Sequence, residues 1–230
     1  MLIAKFPLTP FQQNTRIVAC ERTRQAICID PGEGSDALAG YIRDNGLDLQ
    51  AITLTHGHLD HVGGTTALAA AFPVAEVILH NDDEDLYYGL PQQPLMMGIP
   101  QGQLAALGFA YDRPPTLSRN WQHGEVYEVG DLRFSVRHCP GHTRGHVIFA
   151  EVERRHVFVG DCLFEGSIGR TNLPGGDYDQ LIESIKSQIL TLDDETIVYS
   201  GHGAETTVGR EKASNPFLTG VYKLTRGRYM

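Results

Sequence analysis

The chain has 230 residues, a formal charge of −9, 41% hydrophobic and 20% charged residues, and four cysteines. That length buries a sizeable core without disulfides or structural metal, so a single domain over residues 1–230 is expected. The acidic balance excludes a nucleic-acid backbone as main partner, because such binders cluster Lys and Arg, and no uncharged apolar run reaches the roughly 18 residues of a membrane span.

Taken in chain order, Met1–Pro7 lacks the apolar centre of an export signal. Cys20, Cys28, Cys139 and Cys162 form no CxxC pair, so reduced thiols and a cytoplasmic location are expected. Strands are expected over Arg16–Cys20 and Gln25–Asp30, then a helix over Ser35–Asp44 ended by Asn45-Gly46. A strand over Ala51–Thr55, a helix over Thr65–Ala71 and a strand over Ala75–Leu79 follow. Residues 91–123 break the pattern with Pro91, Pro94, Pro100, Pro114 and Pro115 and the pair Met96-Met97. Such a stretch reads either as a cover over an active site or as a long surface connection. Strands resume over Leu132–His138, His146–Val152 and His156–Gly160, and a last one is expected over Thr196–Ser200. Between them a helix from Asp177 to Leu190 carries Leu181, Ile182, Ile185 and Ile189 on one face, with Asp177 as N-cap. The alternation predicts the α/β class with parallel or mixed pairing. Lys223, Arg226 and Arg228 read as a solvated basic tail.

The chemistry gathers at strand ends. His56 and His58 follow an apolar strand, and side chains at i and i+2 of an extended chain point the same way, so both imidazoles can reach one metal ion. Asp60 and His61 come next, placed to face a second ion beside the first, where Gly63-Gly64 lets the backbone turn into the next helix. His142, Asp161 and His202 repeat one grammar: a buried strand, then glycine, then a donor side chain. His80, His123, His138 and His156 lack that context and read as ordinary hydrogen-bonded residues, while His146 reads as a residue behind the ligands.

The pattern HxHxDH followed by His, Asp and His resembles the metallo-β-lactamase superfamily. Gly160-Asp161-Cys162-Leu163-Phe164-Glu165-Gly166 and its continuation to Asn172, Leu173-Pro174-Gly175-Gly176-Asp177 and Asn215-Pro216-Phe217-Leu218 resemble the short bacterial branch of glyoxalase II. The resemblance implies an αββα four-layer sandwich. It assigns His56, His58 and His142 to one ion, Asp60, His61 and His202 to a second, and Asp161 to both. Two divalent metal ions are implied, zinc first, with iron and manganese compatible with imidazole and carboxylate ligands. The activity implied is hydrolysis of a small-molecule thioester, S-D-lactoylglutathione, by a water that the two ions share. Arg170 matches the family's basic substrate-binding residue, whereas Asn172 and Ala204 stand where the longer enzymes carry tyrosines. Rival readings are a persulfide dioxygenase with one iron on His56, His142 and Asp161, and a metal-dependent binding or sensor module without turnover.

Overall fold

Two runs of strand and helix make up the chain in the computed structural model, which describes residues 1–33, 35–96 and 98–221. Lys223, Arg226 and Arg228 lie outside the described residues, as does Met97. The chain separates into two compact units, the first formed by Met1–Trp121 with Glu128–Leu132 and the second by Gln122–Tyr127 with Arg133 onward.

The first unit is built on a six-stranded sheet in the order β1-β2-β3-β4-β5-β6. Its strands are β1 (Leu2–Leu8), β2 (Gln13–Ala19), β3 (Gln25–Ile29), β4 (Asp48–Thr53), β5 (Glu76–Leu79) and β6 (Arg119–Asn120). The first three pair antiparallel, and β3 to β6 run parallel. Helices α1 (Ser35–Asp44), α2 (Leu59–Val62), α3 (Thr65–Ala71), α4 (Glu84–Tyr88) and α5 (Gln93–Met96) fill the connections. Buried Ile17, Cys28, Leu38, Ile42, Ile52, Leu54, Leu68 and Leu79 knit sheet and helices into one core. The unexpected strand β1 is an edge strand, where Pro7 removes no donor that the interior of a sheet would need.

Residues 91–123 are anchored in the body of the first unit near both ends of the segment. Their ends are structural: Gln93 is buried, β6 completes the sheet, and Trp121 is fully buried beneath the guanidinium of Arg119.

The second unit carries a six-stranded sheet in the order β14-β13-β10-β9-β8-β7. Its strands are β7 (Val126–Val129), β8 (Leu132–His138), β9 (Val147–Glu151), β10 (His156–Gly160), β13 (Ile197–Ser200) and β14 (Thr206–Thr207), and β11 (Leu163–Phe164) and β12 (Ser167–Ile168) form a separate hairpin. Strands β10 and β13 are parallel neighbours. Helix α6 (Tyr178–Ser184) begins where expected, because Asp177 accepts a hydrogen bond from the Gln180 amide at 2.9 Å. It then widens into a π-type turn over Ile185–Ile189, closed by Leu190 N to Ile185 O at 3.0 Å. The turn leaves Leu181, Ile182, Ile185 and Ile189 buried. Helix α7 (Val208–Ser214) is the last helix of regular length among the described residues. All four cysteines are buried free thiols, and no helix of the described residues is long and apolar enough to cross a membrane.

Candidate metal centre

In the first unit two adjacent parallel strands stop side by side, with Ile29 of β3 paired to Thr53 of β4. The residues just beyond carboxyl ends of parallel strands are where α/β folds place ligands. Beyond β3 stands Asp30, a non-glycine residue held in the left-handed region at φ 53°. Its cost is offset by three hydrogen bonds to the carboxylate: Thr55 N donates to Oδ1 at 2.7 Å, and Thr55 Oγ1 and His61 Nδ1 both reach Oδ2, at 2.6 and 2.9 Å.

These contacts fix two tautomers. A carboxylate only accepts, so His61 carries its proton on Nδ1 and presents a bare Nε2. The Thr55 hydroxyl spends its proton on Asp30, so in its 3.0 Å contact with His56 Nδ1 it accepts, and His56 also presents a bare Nε2. The rings of His56 and His58 stand edge-on with centroids 4.8 Å apart, and those of His56 and His61 lie 4.1 Å apart. The first pair bears out the i, i+2 expectation. Asp60 and His61 sit on the one-turn helix α2.

Gly63 and Gly64 are required for a reason other than the expected one. Both have ordinary right-handed dihedrals. A Cβ at Gly63 would lie 2.6 Å from Gly32 O and from Tyr111 Cε1, and one at Gly64 2.8 Å from Pro31 O, so close backbone approach selects glycine.

The second unit repeats the device. Strands β10 and β13 are parallel, Gly160 pairs with Ser200, and Asp161 and His202 follow their ends. His142 comes after β8, on a loop whose Gly141 has φ 126° and where a Cβ would fall 2.3 Å from Leu181 N. His142 Nδ1 donates to the carbonyl of Arg170 at 2.8 Å, so its Nε2 is bare as well.

Asp161 Oδ2 lies 3.7 Å from His142 Nε2 and 3.6 Å from His202 Nε2. In the first unit Asp60 Oδ2 is 3.9 Å from His61 Nε2. These separations are too long for hydrogen bonds, and the Nε2 atoms of His61 and His142, unprotonated by their tautomers, offer the carboxylates only acceptors. Two ligand atoms about 2.1 Å from a tetrahedral zinc would stand about 3.4 Å apart. Acceptor lone pairs facing one another at nearly that span suit a divalent cation, and the donor set fits one.

Behind the ligands, His146 Nε2 accepts from the Asp161 amide at 3.1 Å, which leaves the proton on Nδ1 for Cys162 Sγ at 3.3 Å. Cys162 in turn donates to the Cys139 carbonyl at 3.4 Å. Burial, reinforced by Cys139, pushes the Cys162 thiol well above its ordinary range, so it stays a thiol and offers no nucleophile. His146 thus braces the backbone at Asp161 from behind. His80 caps the turn at Asp82, His156 bonds Tyr199 at 2.9 Å, His123 accepts from the His138 amide at 3.1 Å, and His138 Nε2 meets the Arg144 carbonyl at 2.8 Å. Arg170 is exposed, with Nε on Asn172 Oδ1 at 3.0 Å, while Asp177 is engaged in capping α6.

Sequence reading missed Asp30, Thr55 and the carbonyl of Arg170. The first of them obeys the rule that found the others: Ile29-Asp30-Pro31-Gly32 is a buried strand end, a donor and a glycine.

The model of the metallo-beta-lactamase superfamily matches residues 8–202 of this chain. The hydroxyacylglutathione hydrolase GloC of Haemophilus influenzae is 41% identical over 220 residues, which cover 95% of this chain and 98% of that one. Among solved structures, the B3 metallo-beta-lactamase BLEG-1 aligns with a TM-score of 0.81 at 35% identity, over 95% of this chain and all of that one. TTHA1623 in a di-iron-bound form aligns with a TM-score of 0.79 at 38% identity over the same 95% of this chain. These likenesses bear out the fold expected from the sequence. The superfamily match takes in the strand-end donors from His56 to His202, and the chain therefore belongs to the metallo-beta-lactamase superfamily and is a metallo-hydrolase.

Proposed function

We propose that the chain is a binuclear thioester hydrolase acting on S-D-lactoylglutathione. His56, His58 and His142 would hold one divalent ion, Asp60, His61 and His202 a second, and Asp161 both. The observation that carries this reading is the single oxygen Asp161 Oδ2, which stands at a metal-bridged span from both His142 and His202, at 3.7 and 3.6 Å. The name of the Haemophilus relative supports the choice of substrate. Zinc is proposed on the donor set, imidazole and carboxylate without thiolate; the di-iron form of TTHA1623 makes iron the competitor to test.

Two bound ions would supply an ionised water near neutral pH and polarise the thioester carbonyl. The chain's own residues do the rest. Asp30, Thr55 and the Arg170 carbonyl hold the Nδ1 protons of His61, His56 and His142, which keeps three Nε2 atoms turned inward before any substrate arrives. No general acid is required of the protein, because a thiolate leaves without prior protonation. The exposed Arg170 guanidinium, steadied by its Nε bond to Asn172, would take a substrate carboxylate through its terminal nitrogens.

Zinc-loaded protein should hydrolyse S-D-lactoylglutathione, followed as loss of the thioester absorbance. Full zinc loading without turnover would reject the substrate. Arg170→Ala should raise KM for glutathione thioesters and lower kcat/KM roughly ten- to a hundredfold. Its zinc content should not change, because His142 is held by the backbone carbonyl of residue 170 rather than by its side chain. Small uncharged thioesters should be turned over as before; an equal loss on both would make Arg170 a loop residue.

A further inference from the structure

The metal-binding loop of the first unit is gripped by a residue far from it in sequence. Gln93, the first residue of α5, is only 6% exposed. Its Oε1 accepts from Leu59 N at 3.0 Å, and its Nε2 donates to Gly57 O at 2.7 Å and to Leu86 O at 2.9 Å. Two of these bonds land on the residues immediately before and after His58.

The bond to Leu59 has a specific job. Leu59 opens α2, and the N-cap residue His58 makes no side-chain cap of its own. The first amide of that turn would be an orphan donor in a buried loop, so Gln93 caps the helix from 34 residues away. Asp83 grips the same loop a second time, its Oδ2 accepting from Gly57 N at 3.0 Å. The loop lies so close on α4 that a Cβ at Gly57 would fall 2.7 Å from Leu86 Cβ. Gly57 N, Gly57 O and Leu59 N are therefore all held, and His58 is suspended between them in extended backbone at φ −71°, ψ 147°.

We propose that Gln93 is a positioning residue for the metal centre, fixing the backbone on both sides of His58 and the start of the helix that carries Asp60 and His61. It rests on the reading above that these residues are metal ligands. Only an amide satisfies the site, since one atom must accept and the other must donate twice. A glutamate would set an oxygen against two carbonyls, and a leucine would fill the volume while leaving all three backbone groups unanswered. Partners of metal ligands that hold them in place typically contribute ten- to a hundredfold in metal affinity.

The test uses the full chain with zinc alone as probe: wild type, Gln93→Leu, Gln93→Glu and His58→Ala. Zinc dissociation constants come from competition with a chelator, and melting temperatures are taken with and without zinc. Gln93→Leu should weaken zinc binding about 10- to 100-fold. The zinc-induced rise in melting temperature should shrink accordingly, since that rise reports affinity for the folded state. The visible absorption of the cobalt-substituted protein should shift as His58 leaves its geometry. Gln93→Glu, which keeps the acceptor for Leu59 but turns an oxygen on the carbonyls of Gly57 and Leu86, should show the same trend and decides the matter if the leucine variant does not fold. Equal drops in melting temperature with and without zinc, at unchanged zinc affinity, would make Gln93 a purely structural brace and overturn the proposal. If His58→Ala binds zinc as tightly as wild type, the ligand assignment itself falls, and the clamp with it.

Discussion

Asp161→Ala should lower thioester turnover by at least about 10³-fold, the upper range for removing one electrostatic stabiliser from an active site. Asp161 Oδ2 faces the nitrogens of two histidines at 3.7 and 3.6 Å, so the change strips charge from both at once. The metal-free protein should hardly notice. The bond from the Asp161 amide to His146 belongs to the backbone and survives the change. Its unfolding free energy should change by no more than about 1 kcal/mol. Metal content after dialysis, kcat, and a urea denaturation of the metal-free variant check the three parts. A variant that keeps two zinc ions and a tenth of its activity would contradict the bridging role.

Asp30→Ala should do the opposite, acting through the fold first. The buried Asp30 carboxylate receives Thr55 N, Thr55 Oγ1 and His61 Nδ1. Removing it leaves those donors buried without an acceptor, and hydrogen bonds to a charged group contribute about 1.5–3 kcal/mol each. The metal-free protein should lose roughly 3 kcal/mol or more on urea denaturation. Zinc affinity should fall about 10- to 100-fold as His61 is released from its tautomer. A loss below about 1 kcal/mol would show that the network is dispensable. The pair of variants separates a residue that needs metal to matter from one that organises the site before metal binds.

What could be read in the sequence follows from how local each signal is. The apolar runs before His56, Asp161 and His202 mark strands whose parallel neighbours end beside them, so a donor just past each run reaches the strand ends. Asp177 announced its own helix by a bond only three residues long. Legibility stops where the partner is distant. Gln93 and Leu59 are 34 residues apart, and Asp30 and His61 are 31, and neither pair shares a pattern that spacing could reveal. The glycines show the same limit. Gly63 and Gly64 stood out in the sequence, but what excludes a side chain there is the backbone at Pro31 and Gly32, which only the folded chain brings near. Arg170 was singled out for its guanidinium, while the contact it makes to His142 runs through its carbonyl, an atom every residue has.

In the proposed centre His56, His58, Asp60, His61, His142, Asp161 and His202 hold two ions that share Asp161. Anomalous diffraction from crystals of the zinc-loaded protein, collected on either side of the zinc absorption edge, tests it most directly. The account predicts two peaks at full occupancy, a separation of roughly 3.5–4 Å as in other two-metal sites, and Asp161 density continuous with both. A single peak on His56, His142 and Asp161, with iron as the only metal that restores activity, would contradict the binuclear hydrolase and favour the mononuclear dioxygenase.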